Sequence, residues 1–261
     1  MKNLFVCGDS YACGIGLKQE YNLEKSFGGL ISKKYGIPHI NYARGGICNF
    51  GIYLQVKKML DTFDFTNHDT KNSLMIISLT NPGRLMVATE DITFRDLDLS
   101  NVDYLNNSPY AYNGQKGRDV QFRLNKKPKL FSQTILDIAS HIEKNVSGAM
   151  PSAYEILPKY KLNALKSYIE NLYDDPIKEE YDYGIISKMH LMLKLKNVNH
   201  IFLVQFKELF YFLPEENLCE VNWRKISDEH PDEIGSSHCN EVGHEIAAQI
   251  ILDHLPKRKL I

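Results

Sequence analysis

The chain has no long apolar run, no excess charge of either sign, no Cys-x-x-Cys pair, no repeat and no low-complexity tract. Each absence removes a class of protein. A membrane-crossing helix needs roughly 20 consecutive apolar residues, and nothing here approaches that; the apolar stretch Leu4 to Cys7 is also too short for a secretory leader. Lys and Arg number 31 against 32 Asp and Glu, for a net charge of -1. That balance leaves no electrostatic footprint for nucleic acid or an anionic membrane surface. The five cysteines (Cys7, Cys13, Cys48, Cys219, Cys239) are odd in number and scattered, which fits neither a zinc site nor a disulfide framework. Reduced thiols and a cytoplasmic protein are expected. His190 and His200 lack metal-ligand spacing and are expected to be satisfied or solvent-facing, so no metal is predicted. The loop from Gly8 to Gly16 lacks the Gly-Lys-Ser/Thr ending of a phosphate-binding loop.

What is present is an ordinary globular composition, 43% hydrophobic and 24% charged over 261 residues, enough for one large α/β domain. The apolar run Leu4-Phe5-Val6-Cys7 stops at Gly8-Asp9-Ser10, reading as a buried strand that delivers a serine. Helical spacing follows over 26–35, then a short strand over 39–43 ending in Arg44-Gly45-Gly46. A second helix is predicted over 50–63. The clearest strand, Leu74 to Leu79, breaks at Thr80-Asn81-Pro82-Gly83. Further helices are predicted over 132–144, 152–172 and 176–195, a fourth strand over 200–206, and a last helix over 240–255 with Asn240 as N-cap. The stretch 209–223 reads either as an irregular connection or as holding a short fifth strand near Val221.

Strands alternating with helices, without hairpin signals, predict parallel βαβ units and an α/β sheet. The order lapses between Arg84 and about residue 130, where Asp, Asn and Tyr dominate. This polar insertion reads as a lid or substrate-shaping loop, or equally as a solvated loop without function.

Taken together, Gly8-Asp9-Ser10, the turn at Gly46, the turn at Asn81 and a histidine before the last helix resemble the SGNH hydrolase superfamily, the GDSL esterases and lipases. The resemblance runs from Gly8 to Ile250, in blocks of a few residues. It implies a three-layer α/β/α sandwich with a mostly parallel, flavodoxin-like sheet, over a single domain spanning 1–261. It also implies Ser10 as nucleophile and His238 as base. The oxyanion donors would be the Ser10 and Gly46 backbone N–H groups and the Asn81 amide. Gly46-Ile47-Cys48-Asn49 fits the second block better than Gly45 does.

Two positions depart from the family pattern. Pro82 follows Asn81 where the family commonly has Asp, and Gly235 stands three residues before His238 where an Asp is usual. Asp232 is the nearest aspartate and the expected third member of the triad. Asp228, Glu233 or a backbone carbonyl behind a Ser-His dyad are the alternatives. His230, in a His-Pro-x-x-x-Gly phrase, is the rival base; His238 has the same His-to-Gly spacing and leads directly into the last helix.

The expected activity is hydrolysis of a carboxylic ester through an acyl-enzyme on Ser10, without metal or organic cofactor. The substrate would be a short acyl ester, such as an acetyl ester on a carbohydrate, since the insertion is polar. The alternative is a binding or structural protein of the same fold that has lost turnover.

Overall fold

A computed structural model describes residues 1–17, 23–45, 47–65, 72–82, 84–88, 130–134, 159–233 and 238–255. Its frame is a five-stranded parallel sheet in the order β2-β1-β3-β6-β7. The strands are β1 (Leu4–Gly8), β2 (His39–Asn41), β3 (Leu74–Ser78), β6 (Asn199–Val204) and β7 (Leu218–Glu220). The central strands β1 and β3 are buried along their whole length, which is why they read as unbroken apolar runs rather than alternating ones.

Side chains alternate between two cores with the period of a strand. Phe5, Cys7, Met75, Ile77, Phe202 and Val204 face one core, shared with α2 (Asn49–Thr62) and α4 (Asp175–Leu195). Leu4, Val6, Leu74, Ile76, Ile201 and Leu203 face the other, shared with α1 (Phe27–Tyr35) and α6 (Glu241–His254). The result is the expected three-layer α/β/α sandwich, and the strand order is the flavodoxin-like one. Full burial of a side chain such as Phe5 or Ile76 contributes about 1.5–3 kcal/mol relative to leaving it in water.

The helices start where the sequence supplies caps. Ser26 Oγ accepts from Gly29 N–H to open α1, and the Asn240 side chain accepts from Val242 and Gly243 N–H to open α6. Gly36, in the left-handed conformation, closes α1.

Two expectations need correction. The 84–130 stretch is not irregular throughout: β4 (Arg84–Ala88) pairs antiparallel with β5 (Leu130–Thr134) as a separate two-stranded ribbon. That ribbon also removes the start of the helix predicted over 132–144, because a ladder partner outweighs local helical spacing. The short fifth strand lies at Leu218–Glu220, just before Val221, and is followed by a helix the sequence reading did not contain, α5 (Trp223–Glu229), capped by the Asn222 side chain. The helix predicted over 152–172 is seen as α3 (Lys159–Asn171). Residues 89–129, 135–144 and 152–158 of the predicted insertion and helices lie outside the described residues.

Candidate functional site

In an open α/β sheet, ligands bind at the carboxyl ends of the strands where the strand order reverses. Here the chain passes from β1 outward to β2 and then back across to β3, so the reversal falls between β1 and β3. Ser10 follows β1 and Asn81 follows β3, which puts both at that crevice.

The turn after β1 is tightly held. Gly8 has a φ of +148°, and a Cβ there would meet Ser78 Cβ at 2.7 Å and Ser78 O at 2.8 Å, so no other residue fits. Its backbone is gripped from α2, where Gln55 Oε1 accepts from Gly8 N–H (2.7 Å) and Gln55 Nε2 donates to Gly8 O (3.1 Å). Arg44 N–H, at the end of β2, also donates to Gly8 O (3.0 Å). Beyond it, Cys13 N–H donates to Asp9 O and Ile15 N–H to Ser10 O, so residues 9–15 coil back on themselves. Ser10 is buried at 4% exposure.

Asp9 is equally buried, its Oδ1 accepting from Tyr11 N–H (3.2 Å) and Ser78 Oγ (3.3 Å). Burial raises its carboxyl from 3.8 to about 6, opposed by the Arg84 charge and these hydrogen bonds. Its place beneath the serine is that of a turn-holding group.

The turn after β3 is clamped from two helices. Asn49, the first residue of α2, donates from Nδ2 to Thr80 O (3.0 Å) and accepts at Oδ1 from Thr80 N–H (3.0 Å). The same Nδ2 donates to Asp182 Oδ2 on α4 (2.9 Å). Lys178, one helical turn earlier, pairs with Asp182 Oδ1 (2.6 Å) and donates to Pro82 O (2.9 Å). Asn81 is thus held on both sides while itself standing exposed. Pro82 contributes its carbonyl to this clamp, at the place where the family pattern has an acid.

The histidine segment arrives from α5. Pro231 and Cys239 form an antiparallel bridge, and Asp232 N–H donates to His238 O (2.9 Å). Gly16 (φ +95°) backs onto this pair, where a Cβ would lie 2.7 Å from Cys239 O, 3.1 Å from His238 Cβ and 3.2 Å from Asp232 Cβ. The His238 ring lies against that of Tyr11, the residue after Ser10, with centroids 4.9 Å apart. Asp232 is buried at 7% exposure, while Asp228 and Glu233 are exposed. His230 is the C-cap of α5, its carbonyl accepting from Asn240 N–H, and no ring contact ties it to the Ser10 turn among the described residues.

So the structure brings Ser10, Tyr11, His238 and Asp232 into one neighbourhood and puts Asn81 at the adjoining strand end. Gly46 lies outside the described residues. The polar residues absent from the sequence reading are Gln55, Asp182 and Lys178. A signal for one was there: Asp182 continues the stripe Ile186, Met189, Leu193, and all four are buried.

His190 and His200 are satisfied, as expected, and by each other. His190 Nδ1 and His200 Nε2 are 2.9 Å apart, with His200 Nδ1 on Val198 O (2.8 Å). They line a cleft at the amino end of β6, away from Ser10, and no metal-capable group of three or more ligands occurs among the described residues. All five cysteines are free and buried, and no described helix is long and apolar enough to cross a membrane.

Compared with protein-family models and with curated proteins, the chain matches none.

Proposed function

We propose that the chain is a serine hydrolase of the SGNH type, acting on a carboxylic ester. The observation that carries this reading is the convergence of Ser10 at the end of β1 with the bridged segments bearing Asp232 and His238. A serine hydroxyl is a weak nucleophile until a neutral imidazole takes its proton. His238 takes that proton as Ser10 Oγ attacks the ester carbonyl, then returns it to the departing alcohol. Water repeats the sequence on the acyl-enzyme, releasing the acid and restoring Ser10. Asp232 supports the imidazolium from the adjoining segment.

The oxyanion formed in each step is met by the Ser10 N–H and the Asn81 amide, with the Gly46 N–H as the third donor the resemblance implies. One such donor is worth about 3 kcal/mol. No metal or organic cofactor enters the reaction. A short acyl ester, an acetylated carbohydrate among them, suits the polar composition of the inserted stretch.

The test is hydrolysis of a short-chain aryl ester by wild type and Ser10→Ala. Loss of activity in the variant supports the reading; an unchanged rate overturns it. A second reading, a binding protein of the same fold without turnover, is favoured by the two departures from the family pattern, Pro82 after Asn81 and Gly235 three residues before His238. It predicts that the wild type itself fails to cleave any ester.

A further inference from the structure

Tyr11 follows the serine directly, yet its ring is built into the other side of the site. It stacks on Trp223 with centroids 4.7 Å apart and planes 11° from parallel. Its hydroxyl accepts from Ser227 Oγ on the same helix, α5 (3.2 Å). Trp223, only 6% exposed, is in turn wedged against Phe27 (5.7 Å) and His244 (6.1 Å). The tyrosine ring is therefore fixed at its face and at its tip. His238 then rests against this fixed ring at 4.9 Å and 50°, while its backbone is held by Asp232 and Gly16.

We propose that Tyr11 is a positioning residue for His238, setting the orientation from which the imidazole reaches the Ser10 hydroxyl. Because Tyr11 is bonded to Ser10, the nucleophile and the support for its base move as one unit. The proposal rests on reading Ser10 and His238 as nucleophile and base. Its physical basis is that proton transfer demands near-exact placement, and a displacement of about 1 Å costs up to roughly a hundredfold in rate. An imidazole on a short loop has two side-chain torsions to fix, and an aromatic face restrains both at small entropic cost.

The test compares wild type, Tyr11→Phe and Tyr11→Leu in the full chain. With histidine-labelled protein, the His238 ring resonance is identified by its loss in His238→Gln and followed against pH. In wild type it carries the ring-current shift of Tyr11; Tyr11→Leu removes that shift and moves the titration midpoint, and Tyr11→Phe keeps both. With an aryl ester, Tyr11→Leu lowers kcat by about tenfold or more and changes KM by less than about twofold, while Tyr11→Phe stays within about twofold of wild type. A His238 resonance, midpoint and kcat that are all unmoved in Tyr11→Leu overturn the proposal. If wild type proves to have no hydrolytic activity, the hydrolase reading fails on its own, and the resonance alone decides whether Tyr11 orients His238. Should Tyr11→Leu not fold, Ser227→Ala frees the tip of the ring and gives a smaller change of the same kind, or, if the resonance stays put, overturns the claim.

Discussion

Removing Asp182 tests whether the turn bearing Asn81 is held from α4. The Asp182 side chain is 3% exposed and Lys178 is 14% exposed. Asp182→Ala strips Lys178 Nζ of its 2.6 Å partner and Asn49 Nδ2 of its 2.9 Å partner. Breaking one side of a buried pair costs about 3–5 kcal/mol, because a charge is left uncompensated. Lys178 keeps the Pro82 carbonyl and Asn49 keeps both bonds to Thr80, so about 3 kcal/mol is expected. Against a typical stability of about 5–15 kcal/mol, that is a large loss. Urea unfolding reads it as a fall in midpoint at constant slope. The double variant Lys178→Met with Asp182→Leu replaces the pair by apolar groups and loses less than Asp182→Ala alone. A single-variant cost below about 1 kcal/mol, or losses that simply add, would refute a working clamp.

Other expectations follow from the same geometry. Gly8→Ala forces a Cβ to within 2.7 Å of Ser78 Cβ at a φ of +148°, so a loss of about 3 kcal/mol or more is expected in the same unfolding assay. His244 is fully buried, and burial, with the neighbouring His238 charge, lowers it from 6.5 to about 3. Its Nδ1 accepts from Phe27 N–H in the neutral form. The unfolded chain therefore binds the extra proton first, and stability falls as pH drops from about 6.5 towards 3, by up to about 5 kcal/mol. Asp9 acts oppositely, favouring the fold below about pH 4 and losing that contribution as pH rises through about 6. Unfolding free energies measured across this range should flatten on the acid side in His244→Asn, and an unchanged slope would contradict the assignment. Asp232→Asn should slow ester hydrolysis at least about tenfold, and Asp228→Asn, on an exposed helix face, should not; the reverse pattern would transfer the acid's role.

How much was legible depended on whether a residue's environment is written locally. Strands β1, β3 and β6 are buried on both faces, so their apolar runs and glycine or asparagine turns marked them at once. Asn240 announced the last helix by capping, and apolar spacing marked α1. The β4 and β5 ribbon was not readable because its strands are short and each is defined by a partner more than forty residues away in sequence. Helix α5 is short and opens on Trp223, a poor helix signal. At the site, Ser10, Asn81 and the two candidate histidines could be picked out by pattern. That His238 rather than His230 faces Tyr11 could not, because it depends on a bridge between Pro231 and Cys239 that no local spacing encodes. Gln55 and Asp182 belong to no motif, and their roles come from partners distant in sequence, Gly8 for Gln55 and Asn49 for Asp182. Only Asp182 carried a hint, as the continuation of the buried stripe Ile186, Met189 and Leu193.

The most direct measurement is covalent labelling by a fluorophosphonate, since only an activated serine displaces the fluoride and keeps the phosphonyl group. Mass spectrometry of the wild-type chain should show one adduct, on Ser10, lost in His238→Ala and retained in His230→Ala. No adduct on the folded wild-type chain, or one that persists without His238, would contradict the account of Ser10 and its base.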